Sequence, residues 1–358
     1  MKAIAVYPGK KDSLHLRTIR KPRINKDQVL VKSLYAGVCG TDIEINQGLY
    51  GTAPKGEDYL ILGHESVGIV EKVGNNVSKL KEGDYVVRTV RRPCNDKECL
   101  NCKNDSNDMC ITGNYVESGI KKLHGVMAEY FIDSPEFLLT VPEEYKEVAV
   151  LLEPLSVVEK ATREAFLIQN RLNWNPQKAL VVGAGSIGLL EAMTLRNKGL
   201  ETFVFAKSLK GNLKSKIVKE MGAEYISSQE KTLFELKEEI GNIDLIVEAS
   251  GNSEMVFQAM DILGNNGVLA LTSVTPDNNK LIIPSDKINF NFVLGNKTLF
   301  GSVNANYFDY IKGVQEFIAF NNKWPNLIEK LITKKVELKD FKEAFIKERD
   351  DIKSVIKF

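Results

Sequence analysis

The sequence predicts a two-domain α/β protein: a β-rich domain that opens and closes the chain, and a doubly wound parallel-sheet domain between its two parts. Three observations predict it. At 358 residues the chain is long for one hydrophobic core. Its first third carries short Val/Ile runs punctuated by glycine, and from Lys178 onward apolar strands alternate with helical patterns.

Taken in order, QVLVKSLYAGVCG, YLILGHESVGIVEKVG, GDYVVRTV, AEYFIDS and FLLTVPEE read as strands of a compact antiparallel domain. The character changes near Glu147, where EVAVLLEPLSVVEKATREAFLIQN spaces apolar residues at helical intervals, as one or two helices do. NWNPQK then connects to KALVVGAG, SIGLLEAMTLRNKG and ETFVFA, followed by a Lys-rich amphipathic stretch ending KEMGAEYI. DLIVEAS, GVLALTS and TLFGSV supply further strands, so a parallel sheet is expected over 178–304. A mostly helical tail ends in SVIKF and is too small for a domain of its own. It is expected to pack back on the first, giving domains 1–177 with 305–358, and 178–304.

Composition narrows the function. Basic and acidic residues number 48 and 47, leaving a net charge of +1, so no strong field draws the chain to nucleic acid or an anionic membrane. No apolar stretch approaches the roughly 18 residues that span a bilayer, and MKAIAVYPGKKDSLHL has no small-residue cleavage site. A cytoplasmic location is expected. In that reducing compartment clustered thiols favour metal over disulfides.

VVGAGSIG sets Gly183, Gly185 and Gly188 in G-x-G-x-x-G register directly after an apolar strand and at the opening of a helix. The three glycines permit a tight turn, backbone approach to a pyrophosphate and close helix–strand packing, with Ser186 and Ile187 in the first helical turn. That context predicts a Rossmann dinucleotide site. The second strand ends at Ala206 where an NAD-specific site places an acid, and Lys207, Ser208 and Lys210 offer charge and a hydroxyl to a 2′-phosphate. NADP is therefore the expected cofactor, with NAD tolerated. The bland reading makes these lysines one solvated face.

Cys94, Cys99, Cys102 and Cys110 gather four of the chain's five cysteines on one loop. Four thiolates with no open position suit a closed tetrahedral structural zinc. The fifth, Cys39, precedes Thr41 in GVCGTD, and His64 with Glu65 lies in GHESVG. A thiolate, an imidazole and a carboxylate from separate segments suit a catalytic zinc with a position left for substrate. Alone, a buried cysteine is an ordinary small hydrophobe and a lone histidine an ordinary polar group.

Together, GVCGTD, LGHESVGIV, the four-cysteine loop and VVGAGSIG resemble the zinc-dependent medium-chain alcohol dehydrogenase superfamily, in order along the whole chain. Within it, VRRPC, ESGIKKLHG, LLEPLSVVEK and GSVN are similar to the archaeal glucose dehydrogenases. The resemblance implies a GroES-like catalytic domain, two zinc ions per subunit, a tetramer, and oxidation of an aldose, D-glucose or D-galactose, at C1 to the lactone. It also implies roles by position. Cys39, His64, Glu65 and Glu153 match the catalytic zinc set, and Thr41 the hydroxyl on the reacting oxygen. Glu117 and Asn304 match sugar contacts, as do Thr41, Glu65 and Glu153, while Lys207 and Ser208 match the 2′-phosphate pair.

The chain departs from the pattern at the first cysteine gap, four residues where two are usual, and at Val90, Val157 and Leu294, which stand where some relatives place polar sugar ligands. Those apolar positions leave open a polyol or secondary-alcohol dehydrogenase with the same metal and cofactor. A different class, a zinc ribbon binding nucleic acid or a partner protein, would need a basic groove. Arg88, Arg91 and Arg92 precede the loop, but the loop itself is acidic and polar.

Overall fold

The computed structural model describes residues 1–275 and 279–358. By contact density the chain divides into two units: 1–156 with 304–317 and 332–358, and 157–303 with 318–331.

In the first unit the alternating runs form β1 (Lys2–Val6), β2 (His15–Thr18), β3 (Val29–Val38), β4 (Leu60–Ile61), β5 (Glu65–Val73), β6 (Tyr85–Arg88), β7 (Arg91–Arg92), β8 (Val116–Ser118), β9 (Lys122–Leu123), β10 (Tyr130–Asp133) and β11 (Leu138–Thr140). Short helices α1 (Gly40–Asn46) and α2 (Leu100–Lys103) interrupt them. The ten-residue β3 is the spine, pairing antiparallel with β5 along most of its length and with β10. Ile4, Val6, Leu60, Leu62 and Met127, all fully buried, anchor the core beside it.

The second unit begins inside helix α3 (Leu152–Gln169) and contains β12 (Lys178–Val182), α4 (Ser186–Asn197), β13 (Glu201–Ala206), α5 (Leu213–Glu220), β14 (Glu224–Ser227), α6 (Leu233–Ile240), β15 (Leu245–Glu248), α7 (Ser253–Ile262), β16 (Val268–Leu271), α8 (Ser285–Leu294) and β17 (Thr298–Gly301). The strands are all parallel, in the order β14-β13-β12-β15-β16-β17, the doubly wound order with its switch point between β12 and β15. The residues of β12, β13, β15 and β16 read as near-continuous apolar runs because both faces are covered, whereas the edge strand β17 is half-exposed. Beyond the sheet come α9 (Tyr307–Lys323), β18 (Ile332–Glu337) and β19 (Lys353–Lys357). β19 pairs antiparallel with β3, so the tail's last strand completes the first unit's main sheet.

The division differs from the 177/178 and 304/305 boundaries expected above. Side chains on α3 explain the first shift. The Thr162 hydroxyl donates to Glu191 Oε1 at 2.8 Å, the Lys160 ammonium to the Val303 carbonyl at 2.9 Å, and the Gln169 amide to the Asn266 carbonyl. A similar tie carries 318–331 with the second unit, because Lys323 Nζ donates to the Arg196 carbonyl at 2.9 Å and Lys330 pairs with Glu220 at 2.7 Å. Strand β14 is an element that the amphipathic reading of KEMGAEYI did not separate.

Candidate active site and metal centres

Cys39 is the residue before α1, with an extended backbone (φ −116°) that turns its side chain inward. Asp42, three residues on, closes a capping box. Its Oδ2 accepts the Cys39 N–H at 3.0 Å and its Oδ1 the Gly63 N–H at 3.2 Å, tying together the two segments that carry Cys39 and His64. His64 Nε2 then lies 3.0 Å from Cys39 Sγ, while its Nδ1 faces Asp42 Oδ1 at 3.7 Å. Glu65 opens β5 directly opposite Gly37 of β3. An added Cβ at Gly37 would stand 2.1 Å from Glu65 Oε2, so glycine there makes room for the carboxylate. Both Glu65 oxygens accept from Lys353 Nζ at 2.6 Å, and each of the two residues is only 2% exposed.

Ligand atoms of Cys39, His64 and Glu65 lie within 4.8 Å of one another. Glu153, near the start of α3, is buried but stands outside that group. Burial, with Glu65 nearby, pushes its carboxyl up to about 7 against the pull of His64. Burial also opposes the charged forms of His64 and Lys353. Cys39 and Asp42 hold His64 well above its ordinary value, and Glu65 and Cys39 raise Lys353. A buried cluster with three carboxylates and a thiol around one imidazole and one ammonium fits a divalent cation in its donor chemistry. Thr41, half-buried in the first turn of α1, takes part in a hydrogen bond with Tyr50, whose phenol is raised by burial.

The cysteine lobe is equally compact. All four sulfurs lie within 4.8 Å of one another, unlinked, with Cys99 and Cys110 at 3.9 Å. A tetrahedron with metal–sulfur bonds of ~2.3 Å places its sulfurs ~3.8 Å apart, so the lobe fits zinc despite the longer first gap. Burial holds the Cys102 thiol up at about 12, while at Cys110 hydrogen bonds with Thr112 overcome burial and pull the thiol down to about 6. Arg88 and Arg92 are buried and paired with Asp133, and Arg91 with Glu117. They build this domain's interior and form no basic groove, which removes the support for a nucleic-acid ribbon. Glu117 and Asn304, 187 residues apart, meet: Asn304 Nδ2 donates to Glu117 Oε1 at 3.0 Å, both residues buried.

In the second unit Gly183 (φ +113°) follows β12, and a Cβ there would meet the Ala249 carbonyl at 2.7 Å. Gly188 packs on the Gly183 carbonyl, where a Cβ would stand at 2.1 Å. Gly185 caps α4 with no side-chain partner, and an added Cβ would meet open space. Ser186 and Ile187 form the first turn, whose N–H groups have no partner within the helix. The loop fits a pyrophosphate. Lys207, Ser208 and Lys210 follow the end of β13, with the Lys207 carbonyl held by Gln229 at 2.6 Å and the Ser208 carbonyl by Tyr225 at 2.8 Å. Leu294 lies elsewhere, lining a cavity of about 500 Å³ with Lys237, Asn265 and Lys297 at the opposite, amino ends of the strands.

The model for the glucose dehydrogenase C-terminus matches residues 146–358, and that for the alcohol dehydrogenase GroES-like domain matches 25–143. The chain is 43% identical to a glucose 1-dehydrogenase of Methanocella arvoryzae over 99% of both chains, and 40% identical to one of Thermoproteus tenax over 99% of both. The chain belongs to the glucose dehydrogenase family. Among solved structures, a Haloferax mediterranei glucose dehydrogenase in complex with NADP, Zn and gluconolactone superposes with a TM-score of 0.91 at 33% identity, covering 100% of this chain and 99% of that one.

Three residues of this glucose dehydrogenase family member escaped the sequence reading. Asp42 was within GVCGTD, and its distance of three from a helix-opening residue is a capping-box signal. Arg91 was noted only as one of three basic residues. Lys353 had no local signal, since its partner Glu65 lies 288 residues earlier.

Proposed function

We propose that the protein oxidises an aldose, D-glucose first and D-galactose second, at C1 to the aldonolactone, with NADP as hydride acceptor and NAD as a weaker one. The observation that carries this reading is the buried Cys39, His64 and Glu65 cluster in a chain of this family. The solved relative carrying NADP, Zn and gluconolactone supports the cofactor and product.

Cys39, His64 and Glu65, with Glu153 behind them, would hold the catalytic zinc, and Cys94, Cys99, Cys102 and Cys110 the structural one. Bound there, the catalytic ion supplies Lewis acidity that lowers the pKa of the sugar hydroxyl, and NADP supplies the hydride acceptor. Thr41 accepts the C1 hydroxyl proton and passes it on, with Tyr50 as the next hydroxyl in line. Glu153, a second buried carboxylate at this site, is placed to accept that proton. Glu117 and Asn304 bind sugar hydroxyls and fix C1 in place. The Gly185 turn and the first turn of α4 seat the pyrophosphate, and Lys207, Ser208 and Lys210 hold the 2′-phosphate. No helix among the described residues is long and apolar enough to cross a membrane. A cytoplasmic homo-tetramer completes the proposal.

An initial-rate panel of D-glucose, D-galactose, D-xylose, sorbitol and a secondary alcohol, each with NADP and NAD before and after chelation, tests it. Chelator-sensitive reduction of NADP by aldoses is expected. Rates with sorbitol or the secondary alcohol alone would replace the aldose with a polyol or simple alcohol, and no reduction by a zinc-loaded sample would overturn the enzymatic reading.

A further inference from the structure

Three arginines in five positions, Arg88, Arg91 and Arg92, divide between two carboxylates. Arg88 and Arg92 both pair with Asp133, leaving Arg91 alone on Glu117. Arg91 and Glu117 are direct cross-strand partners in the β7–β8 pair, and both are buried. Arg91 Nε donates to Glu117 Oε1 at 3.0 Å, and Nη2 makes an ion-pair contact with the same oxygen at 2.9 Å. The guanidinium lies over the Tyr115 ring at 3.8 Å, which fixes its plane.

The third nitrogen of the fork faces the cysteine lobe. Arg91 Nη1 donates to the main-chain carbonyl of Asp108 at 2.7 Å, and the Asn107 side-chain amide donates back to the Arg91 carbonyl at 2.6 Å. Both partners sit in the single helical turn Asn107–Met109, immediately before Cys110. That turn has little apolar anchorage. The buried cluster in the lobe consists of its cysteines, and Met109 and Ile111 are 40% and 70% exposed. The position of the Asp108 carbonyl therefore follows the order of the lobe, which the four thiols and the bond from the Asn101 amide to the Met109 carbonyl at 2.6 Å hold together.

On the other side, Glu117 Oε1 also accepts from Asn304 Nδ2, so it takes two hydrogen bonds beside the Nη2 ion-pair contact. Asn304 is itself fixed, in a left-handed conformation (φ +62°) with its Oδ1 taken by the Ala305 N–H at 2.8 Å. One oxygen of Glu117 is thus saturated. Oε2 has no hydrogen-bond partner among the described residues and is the oxygen left for a ligand hydroxyl.

We propose that Arg91 is a positioning residue that ties the four-cysteine lobe to Glu117, so that the order of the lobe sets the affinity of the site for its sugar hydroxyls. The inference rests on the reading of Glu117 as a sugar contact. It gives the lobe a part in substrate binding in addition to local stability. An Arg fork suits this task because it holds Oε1 by two nitrogens while its third reads the lobe backbone, which a lysine cannot do.

The test compares Glu117→Gln, Arg91→Lys, Arg91→Met and Asn107→Ala for kcat, KM for glucose and KM for NADP. Gluconolactone binding by calorimetry and zinc content by elemental analysis accompany the kinetics. Glu117→Gln raises the KM for glucose if the reading of Glu117 holds. Both Arg91 variants are expected to raise the KM for glucose and the lactone Kd by about 10- to 100-fold, the loss of a charge-assisted bond, with the KM for NADP within about twofold and two zinc ions per chain retained. Asn107→Ala, which touches neither Glu117 nor any thiol, is expected to raise the same two constants by about threefold. A Glu117→Gln variant with unchanged sugar affinity would overturn the reading of Glu117 and the tie with it. An effect at Glu117 with wild-type sugar affinity in Arg91→Lys and Asn107→Ala would overturn the tie alone, as would losses spread equally over kcat and both KM values. Arg91→Lys and Asn107→Ala decide the matter if Arg91→Met does not fold.

Discussion

The ion pair between Lys353 and Glu65 can be weighed by a double-mutant cycle on the chelator-treated protein. Lys353→Met removes an ammonium that is 2% exposed and reaches both Glu65 oxygens at 2.6 Å. It leaves the Glu65 carboxylate in a pocket that already holds Cys39, Glu153 and Asp42, with His64 the nearby cation among the described residues. Breaking one side of a buried pair costs about 3–5 kcal/mol, because the survivor keeps its desolvation penalty. Glu65→Gln strands the ammonium instead and is expected to lose a similar amount. The double variant buries no charge at either position, so its loss should be well below the sum, with a coupling of at least about 2 kcal/mol. Urea unfolding followed by far-UV circular dichroism measures the cycle. Tryptophan emission is the control, since Trp174 and Trp324 both belong to the second unit and follow that unit alone. Additive losses, or a Lys353→Met variant within about 1 kcal/mol of wild type, would refute the assignment of a mutually dependent buried pair.

Three further outcomes follow from single sites. Glu191 is buried on α4, and burial, reinforced by Glu159, raises its carboxyl to about 8. Its stability contribution is then fully present below the ordinary carboxyl pKa and lost as pH rises through about 8. Wild-type stability should fall by about 1.4 kcal/mol per pH unit between pH 5 and 8 relative to Glu191→Gln and level off above, in paired urea titrations. Gly37→Ala sets a Cβ 2.1 Å from Glu65 Oε2, so kcat for glucose should fall at least about tenfold while the KM for NADP holds, read from initial rates. Lys207→Ala combined with Ser208→Ala should raise the KM for NADP about 10- to 100-fold and leave that for NAD within about twofold, measured at saturating sugar.

What the sequence made legible was whatever is written locally. The glycine turn after β12, the four cysteines of the lobe, and Cys39 and His64 each sit in a short motif whose residue types have few other uses together. The strand and helix order of the second unit was readable for the same reason, since a sheet covered on both faces writes its strands as apolar runs. Long-range pairing leaves no such trace. Lys353 looks like any lysine in a chain rich in them until β19 joins the sheet beside β3 and carries it to Glu65, and nothing in DDIKSVIKF distinguishes it from Lys357, which is 54% exposed at the side chain. Arg91 went without a role for a related reason. Three arginines in five positions stood in the sequence only as candidate support for a basic groove, because sequence shows their charge without their partners, and Asp133 lies more than forty positions away from the two arginines it receives. Buried charge is invisible in composition and decisive in the fold: each of these side chains is affordable in the interior only because a carboxylate from another segment meets it. Variants at Lys353 and Arg91, more than at the motif residues, are where this reading of the site is most exposed to experiment.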